Sequence, residues 1–492
     1  MILLIQGKIP DIQGFPQNMS LTTMTRKYFG TDGIRGEANK FPMTADMALK
    51  VAMATAVALL KLNGGKSQGG MDQKRVIIGK DTRRSCYMLE QAMAAGFEAM
   101  GMDVLFTGPI PTPGISILTR TLRCDIGVMI SASHNLSKDN GIKIFGSDGY
   151  KLSDAMEREI EALIDQDLTD YLPDGEKVGR ATRIDDATGR YIEYIKRSVP
   201  RALTFSGMKI VVDCANGAAY KAAPSLFYEL EAEVISLGVA PNGKNINKDC
   251  GATHTEGLQK AVVEHKADLG VALDGDADRL IMVDEKGNKI DGDQLLALLA
   301  VAKHKDGYLK QGSVVATVMS NLGLERYLKT QGLNLVRTQV GDRYVMERMK
   351  ADGMNIGGEQ SGHIIFDDFV ATGDGLLAAL QTIAVIAQSG KKASEVLNVF
   401  KPLPQILQNV RYEKGRQPLD DAGVKTAIAH AEVRLGQTGR VLVRPSGTEP
   451  LIRVMAEGDD ETLVQDVVAS ICRAVEASAL PKLAQQPKRK PA

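Results

Sequence analysis

At 492 residues the chain is too long for one compact core, and its length predicts three or four domains. Lys plus Arg and Asp plus Glu both number 60, aromatic content is 5% and Trp is absent, which argues against base stacking on nucleic acid and against a global attraction to anionic membranes. Five widely spaced cysteines without a C-x-x-C pair (Cys86, Cys124, Cys214, Cys250, Cys472) read as reduced thiols, and no apolar run is long enough for a membrane span or a signal peptide, so a cytoplasmic protein is expected.

Residues 1–24 show no sustained periodicity, and strong signals begin only after Met24, so 1–24 is expected to be a disordered leader or the product of an upstream start codon. In the first domain, 25–183, strands are expected at 75–79, 103–106 and 125–130, and helices at 87–100 and 115–121. The second, 184–287, repeats the pattern with strands at 209–213, 233–237 and 268–273 and helices at 218–230 and 255–265. The third, 288–400, repeats it with strands at 313–318 and 333–339 and helices at 322–331 and 344–351. Such alternation argues for α/β layers with mainly parallel strands. From 401 to 480 the pattern changes to strands at 406–412, 440–443 and 451–454 and a helix at 462–475, a small C-terminal α+β domain, before a Pro/Lys/Gln-rich flexible tail at 481–492.

Each of the three repeats runs into a polar loop. These are Ser131-Ala132-Ser133-His134-Asn135, Asp274-Gly275-Asp276-Ala277-Asp278-Arg279 and Gly358-Glu359-Gln360-Ser361-Gly362-His363. Ligands gather at the carboxyl ends of strands in α/β sheets, so three loops in equivalent places predict one site built between domains. Three carboxylates crowded at a strand end repel one another, by about 4 kcal/mol for a pair at ~4 Å and an effective dielectric near 20. A hard divalent cation such as Mg²⁺ or Mn²⁺ relieves that repulsion. An EF-hand is rejected, because Arg279 stands where its loop requires glycine. Taken alone, however, Asp274, Asp276 and Asp278 read equally well as a solvated acidic turn.

A Ser/Asn cluster alone is commonly a helix cap, and no G-x-S-x-G elbow surrounds Ser131 or Ser133. A serine beside a metal is a different matter, since its oxygen could accept a phosphoryl group and join the metal ligands. Lys143 follows closely as a candidate for charge stabilisation or proton transfer. Glu359, Ser361 and His363 lie between glycines and suit sugar hydroxyls, with His363 a candidate acid/base. In the last domain Arg444, Ser446, Gly447, Thr448 and Arg453 combine forked cations, hydroxyls and an approachable backbone, which is phosphate-binding chemistry, although an ordinary Pro-Ser-Gly turn explains the motif alone.

Together with Phe29-Gly30-Thr31-Asp32-Gly33-Ile34-Arg35-Gly36, this ordered set resembles the α-D-phosphohexomutase superfamily over about residues 25–480. Gln360, the Ser-Ala-Ser-His-Asn form and Asn245-Ile246-Asn247 followed by Cys250-Gly251 look most like its bacterial branch acting on glucosamine phosphates. The resemblance implies three similar βαβ-type mixed-sheet domains plus a small α+β domain around a central cleft. It also implies interconversion of glucosamine 6-phosphate and glucosamine 1-phosphate through a sugar bisphosphate, feeding UDP-N-acetylglucosamine and cell-wall synthesis. By position, Ser133 matches the phosphoserine required for activity. Asp274, Asp276 and Asp278, with Ser133, match the ligands of one Mg²⁺ per subunit. Arg35, Lys143 and His363 match groups assisting transfer. Arg279, Glu359, Ser361, Arg444, Ser446, Gly447, Thr448 and Arg453 match the grip on a small-molecule sugar phosphate. Neither nucleic acid nor membrane is an expected partner, and the family allows a homodimer. Leu136 departs from the family pattern, which usually has proline there. The same chemistry on mannose or glucose phosphates is the near alternative. A catalytically silent sugar-phosphate sensor and a metal-dependent phosphatase are the alternatives from other classes.

Overall fold

The structure, a computed structural model, describes residues 27–62, 73–413, 415–446 and 450–479. The expected leader, 1–24, and tail, 481–492, lie outside the described residues, as do Gly447 and Thr448. The first sheet has seven strands in the order Phe29–Gly30, Gly33–Glu37, Asp139–Gly146, Ile126–Ile130, Arg75–Lys80, Asp103–Pro109 and Ala181–Arg183. Its central strands are short apolar runs such as Val76-Ile77-Ile78 and Val128-Met129-Ile130, buried on both faces because helices cover both sides.

The second sheet orders Lys289–Ile290, Leu280–Asp284, Leu269–Leu273, Lys209–Asp213 and Glu233–Leu237. The third orders Asn334–Thr338, Ser313–Thr317, Ile356–Gly358 and Ile364–Phe366. A fourth, three-stranded antiparallel sheet of Gln405–Arg411, Leu451–Gly458 and Gly439–Pro445 carries helices Ala422–Leu435 and Glu461–Ala479. One apolar core runs through the first three sheets, from Ile115 and Tyr191 through Val212 and Leu273 to Leu296 and Leu380, while the fourth has its own around Val454, Val468 and Ile471.

The expectation of mainly parallel strands holds only within the βαβ parts. Each of the three larger sheets also contains an antiparallel hairpin: Ile126–Ile130 with Asp139–Gly146, Leu269–Leu273 with Leu280–Asp284, and Ile356–Gly358 with Ile364–Phe366. The three polar loops are the tips of these hairpins. A loop that returns directly into an adjacent strand needs no crossover helix, so its direction must reverse. No helix among the described residues is long and apolar enough to cross a membrane.

Candidate active site

The tip of the first hairpin places Ser133 at φ +49°, a left-handed conformation that side chains other than glycine seldom adopt. Ser133 is buried, its amide donates to Ser131 Oγ at 2.9 Å, and its hydroxyl donates to Asp274 Oδ2 at 2.6 Å on the tip of the second hairpin. One carboxylate oxygen from each of Asp274, Asp276 and Asp278 lies within 4.8 Å of the other two, and all three residues are buried. They are therefore not the solvated acidic turn that their spacing alone allowed. Gly275 lets this loop approach the serine, since a Cβ there would lie 2.5 Å from the Ser133 carbonyl oxygen.

Charge is only partly balanced. Lys143, on the return strand of the serine hairpin, donates to Asp276 Oδ2 at 2.9 Å and Asp278 Oδ2 at 3.2 Å, and stands 3.3 Å from Asp32 Oδ2. Asp276 Oδ1 and Asp278 Oδ1 are buried with no hydrogen-bond partner among the described residues. Such orphaned anionic oxygens are costly unless something positive meets them. With oxygen as the only donor type, the cluster fits a hard divalent cation and not zinc or copper.

The acid–base shifts follow from burial and charge. Burial, then repulsion from Asp278 and Asp276, pushes the Asp274 carboxyl well above the usual carboxylate range. Burial acts the same way on Asp278, but Lys143, His363 and Arg279 outweigh it and hold that group well below. Burial disfavours the Lys143 ammonium, yet Asp276, Asp278 and Asp32 keep it firmly charged. Burial together with Arg279 and Arg35 lowers His134 to about 4, which makes it a neutral neighbour of Ser133 Oγ at 3.3 Å.

Arg35 reaches the cluster through Asp32, which it meets at 2.5 Å, and Lys151 bridges Asp32 to Asp342. Burial opposes the His363 cation, but the carboxylates of Asp278 and Asp342 raise its pKa overall. The Gly373 amide donates to His363 Nε2 at 3.0 Å, and Nδ1 faces Asp278 at 3.8 Å. Nε2 thus accepts an amide proton while Nδ1 faces the Asp278 carboxylate.

A cleft of about 1100 Å³ opens beside the cluster, bordered by Thr253, Arg279, Asp291, Glu359, Gln360 and Ser361. Arg279 joins the two regions, because its amide donates to Asp274 Oδ1 at 3.2 Å and the residue borders the cleft. Glu359 accepts from the Gly341 amide and from Ser361 Oγ. Arg444 and Arg453 are not on the walls of this cleft. They face each other across adjacent strands of the fourth sheet, each with a buried Nε that has no partner among the described residues. Burial and the Arg453 charge lower the pKa of Arg444, so an anion here would relieve repulsion and fill vacant donors. The amide of nearby Ser446 donates to the Leu451 carbonyl.

Several contributors carried no individual role in the sequence reading. Asp32 lies inside the quoted glycine-rich motif, and Asn247 inside the Asn-Ile-Asn segment. Thr112 donates to Asp276 Oδ2 at 2.5 Å and has no motif around it. Asp81 and Arg83 follow the strand Arg75–Lys80 as a polar run at a strand end, the same signal that marked the three loops.

Four family profiles cover most of the chain: phosphoglucomutase/phosphomannomutase α/β/α domain I at 26–170, domain II at 189–287, domain III at 291–403 and the C-terminal domain at 407–474. The phosphoglucosamine mutase of Sinorhizobium medicae (strain WSM419) is 58% identical over 454 residues, 92% of this chain and 99% of that protein. That of Rhodospirillum centenum (strain ATCC 51521 / SW) is 60% identical over 468 residues, 94% and 97% respectively. Among solved structures, a phosphoglucomutase/phosphomannomutase family protein from Burkholderia thailandensis superposes with a TM-score of 0.75 at 23% identity, covering 91% of this chain and 97% of that one. The Aspergillus fumigatus N-acetylphosphoglucosamine mutase, solved with GlcNAc-6P and magnesium, gives 0.62 at 20% identity, covering 93% and 96%. At these identities the solved structures speak to the fold.

Proposed function

The chain belongs to the phosphoglucomutase/phosphomannomutase family, and from that premise we propose that it interconverts glucosamine 6-phosphate and glucosamine 1-phosphate through a phosphorylated Ser133. It is a mutase of the isomerase class, and the substrate follows from curated relatives with that named activity at 58% and 60% identity over nearly the whole chain. The observation that carries the chemistry is the 2.6 Å contact of Ser133 Oγ with Asp274 in a buried, incompletely neutralised carboxylate cluster.

In the proposed cycle phosphorylated Ser133 gives its phosphoryl group to the free O1 or O6 of the sugar phosphate. The Oγ–P bond breaks, a sugar O–P bond forms, and the proton that leaves the sugar hydroxyl ends on the released Ser133 Oγ. The bisphosphate turns over in the cleft, and Ser133 Oγ takes the other phosphoryl group back. Asp274, Asp276 and Asp278, with Ser133, would hold one Mg²⁺, which supplies charge neutralisation on the transferring group. Lys143 and Arg35 keep fixed positive charge next to that group, and His363 holds Asp278 in place. Glu359 and Ser361 grip sugar hydroxyls, Arg279 lines their path to the serine, and Arg444, Ser446, Gly447, Thr448 and Arg453 clamp the phosphate that is not reacting. In this proposal these parts come from units 25–183, 184–287, 288–400 and 401–480.

The test is ³¹P NMR of the Mg²⁺-loaded protein with a trace of hexose 1,6-bisphosphate and, separately, glucosamine, glucose and mannose 6-phosphates. Preferential conversion of glucosamine 6-phosphate is expected. Faster conversion of glucose or mannose phosphate would move the chain to another branch. Steady phosphate release would make it a phosphatase, and no conversion would make it a sensor.

A further inference from the structure

Arg83 is among the most deeply buried large side chains of the protein, and both terminal nitrogens of its guanidinium donate to the serine loop. Nη2 donates to the carbonyls of Ser133 at 2.9 Å and Asn135 at 2.8 Å, while Nη1 donates to those of Leu136 at 2.5 Å and Asp139 at 3.1 Å. Nε donates to Asp81 Oδ2 at 2.8 Å, and the same carboxylate oxygen accepts from Ser131 Oγ at 2.7 Å, whose oxygen in turn accepts the Ser133 amide. Asp81 and Arg83 therefore hold the serine loop from its own sheet, at both the amide and the carbonyl of Ser133.

A second hold comes from elsewhere in the chain. Asn247, in the segment leading from strand Glu233–Leu237 to helix Glu256–Glu264, donates through Nδ2 to the carbonyls of Ser133 at 2.8 Å and Asn135 at 2.9 Å. Each of those two carbonyls thus receives one donor from Arg83 and one from Asn247, which uses both lone pairs. Asn247 is anchored through its amide to the Ala215 carbonyl, just beyond the strand Lys209–Asp213. A left-handed Ser133 would ordinarily relax by rotation of the peptide that follows it. That rotation would swing the Ser133 carbonyl away from both donors and carry Oγ off Asp274.

We propose that Arg83 and Asn247 are positioning residues, which clamp the Ser133 carbonyl from two different sheets and so hold Oγ in line for phosphoryl transfer. The proposal rests on Ser133 being the phosphoryl carrier, as argued above. It adds that the readiness of this serine depends on Asn247, so the second unit contributes to the phosphoserine loop as well as to the carboxylate cluster.

Asn247→Asp is the primary variant. It keeps shape and tolerance of the positive φ at 247 (+56°) but puts a carboxylate oxygen where the donor stood. The readouts are the melting temperature, kcat and KM separately, and the single-turnover rate of phosphoryl transfer from hexose 1,6-bisphosphate to Ser133, followed by intact mass. Expected are a folded protein, a kcat and a serine phosphorylation rate each lowered about 30-fold, and a KM within about twofold, since a small misplacement of a reacting atom costs rate more than ground-state binding. Arg83→Lys should retain more activity than Arg83→Met. If the aspartate variant does not fold, Asn247→Gly accepts the same backbone without strain and should give the same split. Wild-type transfer rates in a folded Asn247 variant, or a raised KM at unchanged kcat, would overturn the positioning role alone. A wild-type protein that takes no phosphoryl group onto Ser133 would overturn the function and this proposal with it.

Discussion

Ser133 is packed against a carboxylate with its backbone already fixed, so replacing it should remove chemistry without disturbing the fold. Ser133→Ala is expected to lose mutase turnover entirely by ³¹P NMR while melting within a few degrees of the parent; an active alanine variant would sink the phosphoserine assignment. Asp293 offers a pH prediction outside the carboxylate cluster. It is buried at the start of helix Gly292–Lys305, its Oδ2 accepts the Asn321 amide at 2.7 Å, and burial followed by repulsion from Asp291 raises it to about 7. An unfolded aspartate titrates near ~3.9, so the native state binds this proton more tightly than the unfolded state. The stability it contributes is complete below about pH 4 and is lost as pH rises through about 7. Asn in its place should flatten that slope, leaving Asp293→Asn more stable than the parent by about 1–3 kcal/mol at pH 8 and near parity at pH 4.5 in thermal melts. A parent whose pH slope is unchanged by the substitution would refute the shift.

At the scale of elements, the hairpin tip is the unit from which the proposed site is built. Gly275 shows how tightly two tips meet, because its missing side chain leaves room for the Ser133 carbonyl at 2.5 Å and Asn247 Nδ2 at 2.7 Å from where a Cβ would stand. Gly275→Ala should destabilise the protein by about 1–3 kcal/mol and reduce kcat at least tenfold, read by melting and by turnover. Wild-type values for both would show that the tips have slack. The first two tips were legible in sequence because each follows a largely apolar strand, Ile126–Ile130 or Leu269–Leu273, with a polar run, whereas the third follows the short Ile356–Gly358 and was marked by its polar residues alone. Their reversal into antiparallel partners was legible only after 274–279, where the apolar residues that follow suggest a returning strand. Helix Ala422–Leu435 escaped the periodicity reading, since it buries only Val424, Ala431 and Leu435 in fourteen residues. Within the site, the residues at strand ends could be found from pattern, whereas Thr112 and Asp342 could not. Their partners come from loops about 160 and 190 positions away in the chain, and no local composition encodes such a meeting.

Across the whole molecule, buried ion pairs join the units. Arg343 of the third sheet's helix Asp342–Asp352 donates to the Leu152 carbonyl at 2.7 Å and pairs with Glu157 at 2.9 Å and with Asp154, all near the first sheet. Removing one member of a buried pair strands the other, so Arg343→Met should cost about 3 kcal/mol, seen as a lower melting temperature in calorimetry. No change in melting would mean that the pair is easily replaced by solvent. In the fourth unit Arg440 donates to the Val318 and Ser320 carbonyls at 2.8 Å each and pairs with buried Glu457, which fastens the small sheet to the third.

The order of the proposed parts along the chain has a consequence for descent. Ser133, Lys143, Arg35 and the three aspartates all precede residue 288, while Glu359, Ser361 and the arginines of the last sheet all follow it. Apart from Arg279 and His363, which cross that divide, the proposed site is thus written as a reagent followed by a reader. On the proposed reading, substitutions around Glu359 and Ser361 would retune which sugar is accepted while leaving Ser133 and the three aspartates as they are.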